Sequence, residues 1–323
     1  MPRSDLPLEE LHLYEPEATE PPDLDAFWAQ TLAQARSTAP ELELGAEQPK
    51  LAGVSTFQVR FRGLDDAPIA GWLARPDGPG PHPGLVFYHG YGGRGARPLE
   101  LYPIAAQGIV VLSMDCRGQD GDSPDMPPVD GGHHSGWITR GLQGPSSHYY
   151  CYVYSDAVRA IDCLAALDDV DDKRLAVTGG SQGGGLALAA AALSGRAGFV
   201  WADIPFLCDF PRAVNLGEAP YTEIATYLRR HPDREATALR TLSYVDVANL
   251  ARMITCPAVV TVGLWDVICP PSTIFGMYKR LSSADKELVV YPYMGHELTY
   301  DMSERRLREL VRRLATTTPP AVG

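Results

Sequence analysis

The sequence predicts an α/β fold built on a mostly parallel sheet of about eight strands flanked by helices. Two patterns carry that expectation. Short, nearly continuous apolar runs recur at residues 85–88, 109–114, 175–178, 199–202, 258–262 and 288–291. A strand that is apolar at every position, rather than at every second one, is covered on both faces, as strands of parallel sheets are. Helical patterns lie between the runs, near residues 99–107, 149–167, 186–193, 271–281 and 303–314. Strand and helix in alternation give a parallel sheet with helices packed on its faces. The chain has 323 residues, 45% of them hydrophobic, enough for such a core within a single domain spanning residues 1–323.

The elements follow in chain order. Residues 1–48 are acidic and punctuated by proline, and read as an N-terminal arm packed on the main body. One helix is expected there, over residues 23–36, with Asp23 as its cap and Leu24, Phe27, Trp28 and Leu32 on one face. From Val54 the pattern turns to β: Val54, Phe57, Val59 and Phe61 approach alternation, and residues 69–73 follow after a loop holding Asp65 and Asp66, which predicts an antiparallel pair. Residues 208–253 break the strand–helix alternation. Helical patterns at 221–229 and 236–253 arrive where a strand is due, so this stretch is expected to be a helical insertion, a lid beside the active end.

Charge and composition exclude whole classes of function. The formal net charge is −12, the wrong sign for displacing counterions from nucleic-acid phosphates or for binding anionic membrane surfaces. The longest all-apolar run covers eight residues, 186–193, far below the roughly 18 that span a bilayer. The opening residues carry no apolar leader, so a cytoplasmic address is expected. The six cysteines, Cys116, Cys151, Cys163, Cys208, Cys256 and Cys269, contain no C-x-x-C pair and no histidine at zinc-ligand spacing, and are expected to be reduced packing residues.

Chemistry concentrates at Gly179-Gly180-Ser181-Gln182-Gly183, which follows a strand pattern and leads into a helical one. A G-x-S-x-G turn between strand and helix holds its serine in a strained backbone conformation and exposes the hydroxyl, and the flanking glycines avoid collisions with both elements. The helix N-terminus beyond it favours developing negative charge. A phosphate-cradling loop is excluded, because no lysine follows the glycines.

An alcohol needs a base, and the base needs a group that fixes its tautomer. In strand–turn–helix hydrolases the order along the chain is Ser, then Asp or Glu, then His. Two histidines follow Ser181. His231 lies in a polar turn of the insertion, whereas His296 follows the last predicted strand, at the end where parallel sheets bind ligands. His296 is therefore the expected base. Among the acids, Asp266 follows the strand at 258–262 and is favoured; Asp203, after the strand at 199–202, competes, because some hydrolases take the acid one strand earlier. Asp209, Asp246 and Asp285 are less well placed. The oxyanion needs two N–H donors. Gln182, next to the nucleophile, supplies one, and Tyr91 in His89-Gly90-Tyr91-Gly92-Gly93 supplies the other, which also sets Tyr91 against the substrate. His89 precedes the serine and is expected to hold its loop by hydrogen bonds.

Together, Arg117-Gly118-Gln119, Gly179-Gly180-Ser181-Gln182-Gly183 and His296-Glu297 resemble the three signature motifs of the carbohydrate esterase family 7 deacetylases, the acetyl xylan esterases and cephalosporin C deacetylases. The likeness extends to residues 154–160, 203–209 and 268–273 and covers most of the chain. It implies an α/β-hydrolase fold with a Ser181–Asp266–His296 triad and oxyanion donors at Tyr91 and Gln182. It also implies removal of acetyl groups from short xylo-oligosaccharides and from cephalosporin C, without metal or other cofactor. Arg117, Gly118 and Gln119 are implied to support the site and the assembly, and the assembly is implied to be a homo-hexamer, a trimer of dimers that admits small substrates only. Trp265 stands beside the acid where a smaller residue is expected, which bears on the shape of the pocket. A carboxylesterase or thioesterase of broader acyl preference shares every triad residue, and a non-catalytic scaffold on the same fold is the alternative from another class.

Overall fold

The computed structural model describes residues 5–48, 51–129 and 136–315. Residues 1–4, the start of the expected N-terminal arm, lie outside the described residues. The strands are β1 (Leu42–Glu47), β2 (Val54–Arg62), β3 (Pro68–Pro76), β4 (His82–Tyr88), β5 (Val110–Met114), β6 (Val170–Gly180), β7 (Phe199–Asp203), β8 (Ala258–Gly263) and β9 (Lys286–Tyr291). They form one nine-stranded sheet in the order β1-β2-β3-β5-β4-β6-β7-β8-β9. The first three and the β3–β5 pair are antiparallel; every pair from β5 to β9 is parallel.

That topology positions the site. The chain lays down β5 on one side of β4 and then crosses to place β6 on the other, a switch point of the kind at which open α/β sheets bind ligands. Register brings the carboxyl ends into line: Tyr88 pairs with Gly179, Gly180 with Asp203 and Gly263 with Tyr291. The loops after β4, β6, β8 and β9 therefore converge on one edge, carrying Tyr91, Ser181, Asp266 and His296.

Packing explains why the central strands read as unbroken apolar runs. Val86, Val177 and Val260 face one buried cluster, and Leu85, Ala176 and Val259 face another on the opposite side. The helix Gln182–Ser194 is buried nearly all round, which its run of small alanines permits. All six cysteines stand as free thiols, five of them buried, and burial pushes each thiol up.

Three local expectations differ from the structure. The sheet has a ninth strand, because the end of the arm adds to it as β1. This edge strand is exposed along nearly its whole length, so no burial imprints an apolar pattern on it, and Gly45 weakens the β signal further. Asp23 does not cap the helix Leu24–Ala35. Its Oδ1 accepts instead from the Tyr244 hydroxyl at 2.6 Å, and Trp28 Nε1 donates to the Tyr244 carbonyl at 2.9 Å, which ties the arm to the insertion. Finally, the helix expected over 236–253 breaks after Glu235–Ser243. Asp246 interrupts it by accepting from the backbone N–H groups of Ala248, Asp209 and Phe210 at 2.8–2.9 Å, capping the next turn, Val247–Leu250, and fastening the start of the helix Phe210–Leu216. The helices of the insertion otherwise lie between β7 and β8, where the alternation broke.

The helix Tyr149–Ala165 packs beneath the site, and its cap makes stability sensitive to acid. His148 is buried; its Nδ1 accepts from Tyr150 N at 3.4 Å and its Nε2–H donates to the Ile138 carbonyl at 3.0 Å, so the ring is neutral. Burial lowers its pKa to about 4, and burial lowers that of His89 as well. The unfolded chain takes up a proton near pH 6.5 that the folded chain refuses. The share of stability that rests on His148 is therefore complete above pH 6.5, falls as pH drops toward 4, and is flat below. For His148 alone the loss is about 3 kcal/mol. His148→Asn keeps an acceptor for Tyr150 N without the titration. Urea unfolding at pH 7 and pH 4.5 should show the gap between wild type and this variant closing as pH falls; a constant gap refutes the assignment.

Candidate active site

Ser181 ends the climb out of β6 with φ 56° and ψ −120°, a left-handed conformation that costs a non-glycine residue of order 1–3 kcal/mol. Surrounding bonds impose it: Ser181 N donates to the Asp203 carbonyl at 2.9 Å, and its own carbonyl accepts from Phe206 N at 3.0 Å and Gly185 N at 3.1 Å. The flanking glycines are sterically required. A Cβ on Gly179 would lie 2.5 Å from the Tyr88 carbonyl oxygen, and one on Gly183 only 2.0 Å from it.

The turn delivers Oγ to His296. Ser181 Oγ lies 2.9 Å from His296 Nε2, and His296 Nδ1 lies 2.7 Å from Asp266 Oδ2. Asp266 is fully buried in the turn after β8, where its other oxygen, Oδ1, accepts from Ile268 N at 2.9 Å and Cys269 N at 2.8 Å. An ionised carboxylate in that position accepts from Nδ1–H and leaves Nε2 as the acceptor for the serine hydroxyl. A serine, an imidazole and a buried carboxylate joined in this order form the arrangement that makes an alcohol nucleophilic.

Asp203 is elsewhere engaged. Its Oδ1 accepts from Trp201 Nε1 at 2.8 Å and Thr261 Oγ1 at 3.1 Å, and its Oδ2 accepts from Arg306 Nη1 at 2.7 Å. It braces the end of β7 against the helix Tyr300–Ala315. His231 closes the helix Tyr221–Arg230 in the insertion. His89 donates from Nδ1 to the Gly90 carbonyl at 2.8 Å and accepts at Nε2 from Cys116 N at 2.9 Å, so it fastens the loop after β4 to the loop after β5.

Of the two expected oxyanion donors, Gln182 directly follows the serine and Tyr91 directly follows Gly90, which lines the same cleft as Ser181. Among the described residues, neither the Tyr91 nor the Gln182 backbone N–H has an acceptor. A buried amide network holds both. Gln119 Oε1 accepts from Gly92 N at 2.9 Å, and its Nε2 donates to Tyr149 Oη and to Gln182 Oε1, each at 2.9 Å. Gln182 Nε2 returns a bond to Gln119 Oε1 at 3.2 Å. Arg117 is buried and fixes the start of this loop through a two-pronged ion pair with Asp156, at 2.5 and 2.8 Å, a pair whose disruption costs about 3–5 kcal/mol when buried. Gly118 offers its carbonyl to Trp137 Nε1 at 2.9 Å. The Arg-Gly-Gln segment thus supports the loop that carries Tyr91.

Sequence reasoning did not single out Tyr149, Tyr150, Trp137 or Glu223, all of which touch this network. Tyr150 donates to Gln182 Oε1 at 2.9 Å, and the Tyr91 hydroxyl donates to Glu223 Oε2 at 2.8 Å. The only sequence signal was the aromatic pair at the start of a helix pattern, which a buried core explains equally well.

Above Oγ lies a cleft of about 350 Å³ lined by Phe87, Gly90, Arg94, Ile204, His296 and Leu298. Trp265 turns its ring edge-on to Tyr293 at 5.6 Å. Among the described residues, Asp266, Cys269 and His296 bring donor atoms within 4.8 Å of one another. Asp266 and His296 are already bonded to each other and to Ser181, and burial keeps the Cys269 thiol neutral. That is a poor donor set for a cation.

Known proteins share this arrangement of chain. The acetyl xylan esterase family model matches residues 1–313. An acetyl xylan esterase from Paenibacillus sp. R4 is similar with a TM-score of 0.91 and 39% identity, covering 94% of this chain and 99% of that one. Acetyl xylan esterase 1 from a Thermoanaerobacterium species has a TM-score of 0.91 and 33% identity, covering 96% and 99%. An acetyl esterase of Xylanibacter ruminicola is 29% identical over 293 residues, 89% of this chain, and the chain spans 66% of that relative's length. The nine-stranded sheet is thus an α/β-hydrolase fold, and the chain belongs to the acetyl xylan esterase family.

Proposed function

We propose that the protein is a serine esterase that removes acetyl groups from small acetylated substrates, acetylated xylo-oligosaccharides and cephalosporin C among them, through an acetyl-serine intermediate. The observation that carries this reading is the unbroken path from Ser181 Oγ through His296 to Asp266, at 2.9 and 2.7 Å; among the described residues the Tyr91 and Gln182 backbone N–H groups have no acceptor.

In this reading His296 Nε2 takes the Ser181 proton as Oγ bonds to the acetyl carbonyl carbon. The carbonyl oxygen becomes an oxyanion, which accepts from Tyr91 N–H and Gln182 N–H; a donor of this kind contributes about 3 kcal/mol to the transition state. The bond from the acetyl carbon to the ester oxygen, which stays with the sugar or the dihydrothiazine methylene, then breaks, and His296 gives the proton to that leaving oxygen. Water enters, gives its proton to His296 and attacks the acetyl-enzyme by the same route, releasing acetate and restoring the serine. Asp266 stays ionised throughout and stabilises the imidazolium. Ser181, His296 and water carry every proton, so the path calls for no cofactor.

A homo-hexamer and a cytoplasmic address belong to the same proposal and rest on the family resemblance and the composition. No helix among the described residues is long and apolar enough to cross a membrane. Sedimentation reads the assembly.

Acyl length discriminates between readings. With p-nitrophenyl acetate, butyrate and octanoate, kcat/KM should fall by about tenfold or more between acetate and octanoate, because an overlong chain must displace packed side chains. Preference for octanoate would establish the broader carboxylesterase or thioesterase instead. A fluorophosphonate probe that failed to label Ser181 in the folded protein would favour the scaffold.

A further inference from the structure

We propose that Glu223 is a positioning residue for the oxyanion loop: held in the insertion, its carboxylate fixes the Tyr91 phenol and through it the direction of the Tyr91 backbone N–H. The inference rests on the esterase reading, because it concerns the donor that the reaction uses.

Tyr91 is tied at its far end as firmly as at its backbone. Its hydroxyl donates to Glu223 Oε2 at 2.8 Å and accepts from Trp137 N at 2.6 Å and Ile138 N at 3.2 Å. One donor and two acceptor positions are all that a phenol offers, so the group is saturated. The ring meets Trp137 edge-on at 5.2 Å and Phe206 at 5.9 Å. On the other side of the residue, Gly92 N is held by Gln119. With the phenol and the following peptide both fixed, the Tyr91 Cα is held by two of its bonds, and the backbone N attached to it is held in place with them. Among the described residues, Glu223 supplies the only acceptor for the phenol proton; the other two partners are donors. Without that carboxylate the hydroxyl must turn its proton elsewhere and the ring loses its anchor to the insertion.

A second observation comes from the opposite strand of the chain. Gly136 has φ +95°, and a Cβ there would lie 1.8 Å from Glu223 Oε2. The backbone crosses directly over the carboxylate, and only glycine allows it. The helix that carries Glu223 is itself anchored to the nucleophile's surroundings. The Tyr221 hydroxyl accepts from Leu207 N at 3.0 Å and Cys208 N at 3.2 Å, and its ring lies 4.4 Å from Phe206. Phe206 N in turn donates to the Ser181 carbonyl. The insertion therefore references the oxyanion loop to the serine turn.

The test compares Glu223→Ala, Glu223→Gln, Tyr91→Phe and the Glu223→Ala/Tyr91→Phe double variant, using p-nitrophenyl acetate turnover and the rate at which a fluorophosphonate phosphonylates Ser181. Glu223→Ala should lower kcat roughly 10- to 100-fold with KM nearly unchanged, the signature of an interaction realised in the transition state, and should slow phosphonylation in parallel. Glutamine still accepts from the phenol and should restore the rate to within about threefold of wild type, which a loss of bulk packing would not explain. Tyr91→Phe should match Glu223→Ala, and the double variant should be no slower than either. Unchanged kcat in Glu223→Ala, multiplicative losses in the double variant, or no rescue by glutamine would overturn the proposal. If alanine at 223 prevents folding, Gly136→Ala displaces the same carboxylate without removing it; a wild-type rate there is equally fatal. Wild-type protein that labels at Ser181 yet spares acetyl esters would instead sink the acetyl reading, and the phosphonylation rates would still decide the role of Glu223.

Discussion

Ser181→Ala should lower kcat for acetyl esters by about 10⁶-fold, and the fold should survive intact. Removing Oγ deletes the atom that bonds to the carbonyl carbon, and the residues around it have no substitute nucleophile at the same point. What remains is the oxyanion pair and the cleft, which in comparable serine hydrolases sustain about 10³–10⁴-fold over water. The hydrogen-bond partner of Oγ, His296, is partly exposed and keeps its bond to Asp266, so alanine leaves no fully buried group orphaned and the melting temperature should stay close to wild type. Ser181→Gly sharpens the test. At φ 56° and ψ −120° a Cβ is strained, and glycine releases that strain, so this variant should be as inactive as alanine yet melt higher, by about 1–2 kcal/mol of added stability. Turnover of p-nitrophenyl acetate and thermal unfolding of the three proteins decide it. Retention of more than about a thousandth of wild-type kcat in Ser181→Ala would remove Ser181 from the chemistry.

How much of this was legible in the sequence follows from where each constraint acts. The central strands were legible because burial on both faces writes itself into the runs at the hearts of β4 to β8. The edge strand β1 is not written that way: with one neighbour and open solvent, Leu42–Glu47 needs no apolar period. The serine turn was legible because its constraints are local, two glycines forced by the Tyr88 carbonyl. The break at Asp246 was hidden, since the side chain that stops one helix is fixed by N–H groups 36 and 37 residues away. Glu223 was hidden for the same reason. In its own segment it is an ordinary acid in the first turn of an amphipathic helix, and its partner lies 132 residues earlier. Long-range polar partners leave no periodicity behind, and the structure alone reveals them.

Asp266 and Asp203 should separate cleanly. Asp266→Asn should lower kcat by about 10⁴-fold through the tautomer of His296, and the local hydrogen bonds dictate the direction. At Oδ1 two backbone N–H groups, of Ile268 and Cys269, point at the side chain. An asparagine must turn its carbonyl oxygen toward those donors, which leaves its NH₂ facing His296 Nδ1. A donor there forces the imidazole proton onto Nε2, the atom that must accept from Ser181. Asp203→Asn meets a different environment. Its oxygens receive Trp201, Thr261 and Arg306, none of which touches the reacting atoms, and the loss falls on the partly solvated Arg306 ion pair. The expected cost is about 2 kcal/mol of stability, with kcat of the folded protein within about tenfold of wild type. If Asp203→Asn abolishes hydrolysis in folded protein while Asp266→Asn leaves it near wild type, the acid is Asp203 and the bond from His296 to Asp266 is a bystander.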